Sequence, residues 1–523
     1  MLGLGSLGRR LKAAAGAFST GGYNAATGGR RVIHMGSTTR GVNSLALSDG
    51  PQLLARARKA AMDTDLAVAG IAAFVAEVIG TGRRPHFKHP DPVTRQKLQR
   101  EWNLWVPQAS ATRKIGPDGK PDSFQSFYGQ QALVCRNAVE AGEAFARLRP
   151  RLVSDLSPTG LRVPLQIELI EPEQLAFWRQ SGEMASPLNI MRGSIEFDAI
   201  RQRVAYHFYR DHPGDSTVWP NAYEVVPVPA QSVLHVIEFI RGNQIRGITP
   251  LASILIQMAD LDDYDDAERL RQKLGAYMFA WKETTTPDDD DNHSRSTTSA
   301  GTDQADAGTA YVESAPGQLT MIDVGAQEKM GFYAHPGTPQ GYAVFMREQQ
   351  QKIATILRVA YDMATGNTDG SNYSRSRIRL IALRRMWEQY QQNVIEHQFC
   401  RPVVRAWLDA AALAGVIDAG DYLRNPDLYL DIEWLSQPWD WVDPEADVKS
   451  VRMEIESALT SREAEVAKRG RNVEDVDAEI SRDHEREAEL GIQPVYGASR
   501  VNIDANPGDN PDEEPAPVPQ EAK

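Results

Sequence analysis

Three long helix-patterned segments, divided by two polar interruptions, constrain this chain more than any other feature. From 249 to 281, Leu251, Ile254, Leu255, Met258 and Leu261 recur at helical spacing, followed by Leu270, Leu274, Tyr277, Met278 and Trp281. At 1.5 Å per residue such a helix reaches about 50 Å. A second helix is expected from 342 to 360 and a third from 373 to about 414. In the third, Leu380, Leu383, Trp387, Tyr390 and Val394 step by three and four, a heptad-like stripe suited to packing on other helices. A polar Thr/Asp/Ser/Gly insert at 284–309 divides the first helix from the second, with short strands expected at 310–312 and 319–324. A Gly/Asn/Asp/Ser loop at 365–372 divides the second helix from the third.

Upstream the pattern is mixed, which makes the chain α+β. Residues 1–50 are rich in Gly, Ser and Thr without periodicity and read as a flexible arm. Pro51 reads as the N1 residue of a helix that ends at Gly80-Thr-Gly82. Residues 92–149 read as mainly helical, with Trp102 and Trp105 near one face, a loop at 116–121 and a helix from about 123 to 140. The period then changes, and 164–170, 193–197, 203–209 and 232–240 are strand candidates. Beyond the third long helix, 434–441 is rich in tryptophan and reads as a tie-down. Residues 447–490 read as charged helix, and the Pro/Asp/Glu-rich tail after 497 as disordered.

Composition removes several function classes. A chain of 523 residues exceeds one ordinary core. Its formal net charge of −13 argues against non-specific coating of nucleic acid, which needs Lys and Arg to neutralise phosphates. The charge is unevenly placed. Residues 443–523 carry 21 acidic against 10 basic side chains, whereas Asp49 is the one acid in the first sixty residues, among nine Arg and Lys. Two cysteines, Cys135 and Cys400, are too few for a disulfide framework. The most apolar window, 66–79, is too short to cross a bilayer and contains Glu77. The first eighteen residues lack the apolar run of a secretory signal.

A search for chemistry finds no constellation that would carry it. The phosphate-cradling pattern Gly-x4-Gly-Lys-Ser/Thr is absent; Gly116-Pro-Asp-Gly119-Lys120 is followed by Pro121 and reads as a turn. Asp288–Asp291, with Asn292 and His293, lacks the central Gly and closing Glu of a calcium loop. His397 and Cys400 are two ligands, not a zinc site. His86 and His89, beside Arg83, Arg84 and Lys88, read as a surface patch. There is no Gly-x-Ser-x-Gly elbow, and His484-Glu-Arg-Glu does not complete His-Glu-x-x-His. The run Asp262, Asp263, Asp265, Asp266 and Glu268 reads as a solvated helix face rather than an acid–base pair. No catalytic residue, metal or cofactor is expected.

Three segments carry a resemblance. His235-Val-Ile-Glu-Phe-Ile-Arg-Gly-Asn-Gln-Ile-Arg-Gly247 leads through Ile248-Thr-Pro-Leu251 into the first long helix. Tyr361-Asp-Met-Ala-Thr-Gly366 is followed by Asn372-Tyr-Ser374 and Arg377. Asp443-Pro444 is followed by Leu459-Thr-Ser-Arg462, Glu463 and Gly470. With Val78-Ile-Gly-Thr-Gly82, Phe124-Gln-Ser, Gly142-Glu-Ala-Phe145 and Leu165-Gln-Ile-Glu-Leu-Ile-Glu-Pro172, these resemble the lambda-type family of phage portal proteins over most of residues 50–492. One departure is Arg375 between Ser374 and Ser376, where the family commonly has two serines after the Asn-Tyr.

The resemblance implies a portal-protein fold with a mixed α/β wing, long stem helices, a small clip, a tunnel loop and a helical crown. Residues 1–50 would be an arm, 51–248 the wing, 249–283 and 341–361 the stem helices, 284–340 the clip and 362–374 the tunnel loop. The long helix and wing return would occupy 375–442, the crown 443–492 and an acidic tail 493–523. Family members close head-to-tail into a ring of about twelve copies at one capsid vertex. Through that ring the genome is packaged and later ejected. The implied partners are other copies of the chain, double-stranded viral DNA, the large terminase subunit, the major capsid or scaffold protein, and head-completion or neck proteins, with no membrane. The implied location is the virion vertex, and the host cytoplasm during assembly. Gly366, Asn367, Thr368, Asp369, Gly370, Ser371 and Asn372 would form the DNA-facing loop. Arg375, Arg377, Arg379, Arg384 and Arg385 would face DNA or a neighbouring copy. Asp262, Asp263, Asp265 and Asp266 would face the channel. The competing readings are another virion structural protein, of neck or capsid, or a virion-associated enzyme.

Overall fold

The computed structural model describes residues 39–115, 121–152, 161–176, 186–215, 224–276, 280–284, 328–332, 341–368, 373–439 and 444–491. The chain divides into two compact units. The first comprises Met1–Val78, Leu133–Pro150 and Leu165–Val403; the second comprises Ile79–Ala132, Arg151–Pro164 and Val404–Lys523.

The first unit opens on helix α1, Val42–Asp63, and helix α2, Asp65–Val78. This corrects the expectation of a single helix starting at Pro51. Helix begins nine residues earlier, inside the stretch read as a flexible arm, and Pro51 lies within it. Proline there removes one backbone bond. The turn before it is held by tertiary bonds instead: the Asn43 amide donates to Asn243 O at 2.8 Å and accepts from Ile245 N at 2.7 Å. Helix α3, Phe127–Ala141, enters this unit at Leu133.

Strands β1 Glu143–Pro150 and β2 Leu165–Ile170 follow. Residues 143–149 were expected to be helical; they are extended because Glu-Ala-Phe-Ala-Arg-Leu-Arg alternates and its first four residues are buried on both faces. Strands β3 Ile190–Arg192, β4 Ile195–Phe197, β5 Arg203–Tyr209 and β6 Val225–Pro229 form an antiparallel meander. Strand β7, Val233–Ile237, pairs antiparallel with β1, whose other edge carries β2. Phe145, Ile195, Tyr206, Phe208 and Val228 share one core between these two sheets.

A 3-10 turn, Pro250–Ser253, leads into α4, Leu255–Ala276. The described helix is about 33 Å long, shorter than expected. Strands β8 Ala280–Thr284 and β9 Glu328–Phe332 pair antiparallel. The strands expected at 310–312 and 319–324 lie outside the described residues. Helix α5, Tyr342–Ile356, a short helix α6, Tyr361–Thr365, and α7, Tyr373–Tyr390, complete the helical layer. The third long helix is continuous from 373 to 413, with Gln391–Cys400 wound as π-helix before Arg401–Leu413. The stripe Leu383, Trp387, Tyr390 and Val394 is buried as the spacing predicts.

The second unit is built on an aromatic cluster. Trp102 touches Trp105, Phe127 and Trp407 with ring centroids 5.0, 5.3 and 5.3 Å apart. Trp434 belongs to a strand, Ile432–Leu435, paired with Arg84–Phe87. The charged region from 444 resolves into three helices, Pro444–Glu456, Arg462–Lys468 and Val473–Leu490; the last two start on Ser461 and Asn472, whose side chains accept from backbone N–H groups.

Candidate functional site

The chemistry of interest lies where the strands of the first unit hand the chain to its long helices. Glu143, the first residue of β1, is fully buried and accepts from three groups. Arg246 approaches from Nε at 2.9 Å and from Nη2 at 2.5 Å. The backbone N–H of Gly247 donates at 2.7 Å, and His235 lies on β7 with its Nε2 at 3.0 Å. Arg203 approaches His235 Nδ1 at 3.0 Å. A guanidinium can only donate, so Nδ1 carries the lone pair and Nε2 the proton, which is given to Glu143. Burial opposes ionisation of Glu143, but the charge of Arg246 and the His235 bond outweigh it and hold its pKa at about 2. Burial dominates at His235 and lowers its pKa to about 4 despite Glu143.

The same turn is fixed on its other sides. Gln244 accepts from Ile240 N and donates to Arg246 O. Thr249 donates to Val139 O in α3 while its hydroxyl accepts from Leu251 N, capping the 3-10 turn. Gly142 and Gly247 touch back to back: a Cβ on Gly247 would lie 2.2 Å from Gly142 O, so both positions exclude any side chain. The Gln244-Ile-Arg-Gly247 segment singled out in the sequence is therefore a buried ionic anchor immediately upstream of α4. Glu143 and His235 escaped the sequence reading as members of it.

Helix α4 packs on α5 and α1. Gln257 donates to Gln349 at 2.7 Å, and the Tyr342 hydroxyl donates to Asp265. The four aspartates expected to face a channel do not share one environment. Asp262 accepts from Thr64 at 3.2 Å; burial, together with Asp65, Asp266 and Asp263, raises its pKa. Asp265 is half-buried and pairs with Arg269 at 2.5 Å. Asp266 is exposed and lies 3.5 Å from the same arginine. Asp263 is exposed and makes no ion pair among the described residues. Glu268 is buried against Arg271.

Of the polar loop, Gly366, Asn367 and Thr368 are described; Asp369, Gly370, Ser371 and Asn372 lie outside. Gly366 is left-handed at φ 69° and closes α6 by donating to Asp362 O at 2.8 Å. Helix α7 carries the arginines. Arg379 reaches Asp362 at 4.0 Å, Arg377 and Arg384 are half-buried, and Arg385 is exposed. The side chain of Arg375 is outside the described set.

Ligand geometry is poor among the described residues. Glu171, Glu173 and His212 bring possible metal-binding atoms together. Glu173 is engaged by Arg58 at 2.9 Å, and His212 Nδ1 accepts from Gly214 N, which leaves the ring proton on Nε2 facing Glu171. No lone pair remains for a metal on that ring. His397 is exposed while Cys400 is buried, so they do not form a pair of ligands. Residues 116–120 and 288–293 lie outside the described set.

The chain matches the family described as phage portal protein, lambda family, over residues 28–391. It is 28% identical over 332 residues to a probable portal protein of Halomonas phage phiHAP-1, covering 62% of each chain. It is 20% identical over 353 residues to portal protein B of Escherichia phage lambda, covering 64% of this chain and 65% of that one. The chain thus spans under two thirds of the length of these curated relatives. Among solved structures it is similar to a chain in the virion of a native gene transfer agent particle, with TM-score 0.41 and 9% identity, covering 85% of this chain and 94% of that chain. It is also similar to an HK97-family phage portal protein from Corynebacterium diphtheriae, with TM-score 0.27 and 11% identity, covering 66% of this chain and 86% of that chain.

Proposed function

Because the chain belongs to the lambda family of phage portal proteins, we propose that it is the ring subunit of a DNA channel at one capsid vertex, acting in genome packaging, head–tail joining and ejection. The observation that carries this reading is the reach of the family match. Residues 28–391 include both sheets of the first unit, the Glu143–Arg246 anchor, both candidate stem helices, the polar loop and the start of the long α7 helix. Packaging by a terminase ATPase and docking of neck proteins at 284–340 belong to the same reading.

In this assignment the chain does no chemistry of its own. A channel must let DNA slide, so a ring must not accumulate tight phosphate contacts, each of which adds salt-dependent affinity. The acidic flank of α4 serves that purpose. Asp63, Thr64, Asp65, Asp262, Asp265 and Asp266 line one pocket of the first unit, and Arg269 is the basic residue in it. The anchor at Glu143 sets the start of α4, and Gly366 to Asn372 would be the brief contact with DNA.

Negative-stain images and mass measurement of the purified protein test this directly. Rings of about twelve copies with a central hole are expected, with no ATP hydrolysis above background when terminase is absent. A monomer, or hydrolysis that disappears in Lys120→Ala, overturns the assignment.

A further inference from the structure

Two helices of the first unit carry an outer face that nothing among the described residues covers. On α4 the buried side is Met258, Leu261 and Glu268. Opposite it, Ile256, Asp263 and Leu270 fall seven residues apart, two helical turns each, and so form one line along the helix. Ile256 is 75% exposed and Leu270 57%. On α7 the buried side is Leu383, Trp387 and Tyr390, and the opposite side shows Ile378 at 69% exposure, Ile381 at 45%, and Arg385, seven residues after Ile378. Each line thus places a charge among apolar side chains, Asp263 on α4 and Arg385 on α7. Neither charge has an ion-pair partner among the described residues.

These faces lie at opposite edges of the helical layer. Helix α4 packs on α5, α5 on α2, and α2 on α7. One copy therefore cannot bring its own Asp263 to its own Arg385 without unpacking two helices. Two such edges of opposite charge, each with apolar side chains about one turn either side of the charge, have the form of a helix–helix seam cut open.

We propose that the α4 edge, Ile256, Asp263 and Leu270, docks on the α7 edge, Ile378, Ile381 and Arg385, of a second copy of this chain, with Asp263 paired to Arg385. The contact is head-to-tail, so each copy offers one edge to each of two neighbours and the chain of contacts closes as a ring. The inference rests on the portal reading for ring closure, but the pairing itself comes from the two exposed lines. It assigns Asp263 to the contact between copies and leaves Asp262 and Asp266, one turn apart on its flank, to the channel.

The test is a charge exchange in the full chain. Asp263→Arg and Arg385→Glu each place like charges across every contact and should raise the concentration for half-assembly at least about ten-fold. Both residues are exposed, so circular dichroism and the melting temperature of the unassembled chain should stay at wild type. The double variant Asp263→Arg/Arg385→Glu should recover assembly. A paired Asp263→Cys/Arg385→Cys variant, oxidised, should give a ladder of multimers on a denaturing gel; Cys135 and Cys400 are buried and do not interfere. Normal assembly of both single variants, or a double variant no better than the worse single one, overturns the seam while ring formation by wild type leaves the portal reading standing. Normal rings that retain less DNA in Arg385→Glu place Arg385 on the genome and overturn the seam as well. A wild-type chain that forms no ring overturns both.

Discussion

At Glu143 three segments far apart in the chain meet on one carboxylate: the start of β1, His235 on β7 and the Arg246-Gly247 turn. Removing its charge leaves Arg246 buried without its counter-ion, and such losses cost about 3 kcal/mol or more. Glu143→Gln should therefore lower the urea midpoint of the first unit markedly, while Glu224→Gln, in an exposed pair with Arg210, should change it little. The pH dependence has a definite sign. The folded pKa of His235, about 4, lies below its ordinary value of 6.5, and that of Glu143, about 2, below 4.5. In each window the unfolded chain holds the extra proton, so stability falls with acidity, through His235 between pH 6.5 and 4 and through Glu143 between 4.5 and 2. Unfolding midpoints across that range should slope accordingly, and His235→Gln should flatten the upper part. A flat profile in wild type contradicts the anchor. The sequence exposes half of this anchor. Gln244-Ile-Arg-Gly247 stands out as a motif, but a lone Glu after Gly142 reads as a surface charge, because its partners are about a hundred residues away.

Among elements, the helical cores were legible and their ends were not. The stripe at Leu383, Trp387 and Tyr390 is a period-3.6 signal set by burial. The start of α1 depends instead on Asn43 reaching Asn243 and Ile245, which no local pattern encodes. Strand β1 was misread because it directly follows a helix and its four buried residues include Glu143. The π-wound stretch Gln391–Cys400 has no sequence signal that we identify. Gly366 was flagged from composition, and its φ of 69° supplies the reason. A Cβ there meets nothing within 4 Å, so substitution is a backbone effect alone. Gly366→Val should cost about 1–2 kcal/mol in the cap of α6, and Gly366→Asn much less, since Asn tolerates that region. Ring assembly should survive both. Packaged DNA should be shorter, or should leak from filled heads, in the Val variant and recover in the Asn variant. Normal DNA length in Gly366→Val removes the loop from any role on the genome.

For the whole molecule the governing quantity is charge per copy multiplied by the number of copies. A chain of net charge −13 in a ring gives a channel that should not hold duplex DNA at physiological salt. The α4 flank that carries Asp262 and Asp266 lets this be inverted without touching the core, because both side chains are exposed. Asp262→Lys/Asp266→Lys changes the charge by four per copy, and any lysine that reaches a phosphate steepens the fall of log K with log salt by about 0.9. Symmetry repeats each new contact around the ring, so a few per cent of DNA held by wild type should become strong retention at low salt that vanishes as salt rises. Packaging should slow, since every step of the polymer now breaks several contacts, whereas ring assembly should be unchanged because Asp263 is intact. Fluorescence anisotropy of a short duplex across a salt series measures the slope, and packaged DNA per unit time measures the drag. If the double lysine variant binds DNA no better than wild type, this flank of α4 does not line the channel, and the wall that keeps DNA sliding must be built from other residues.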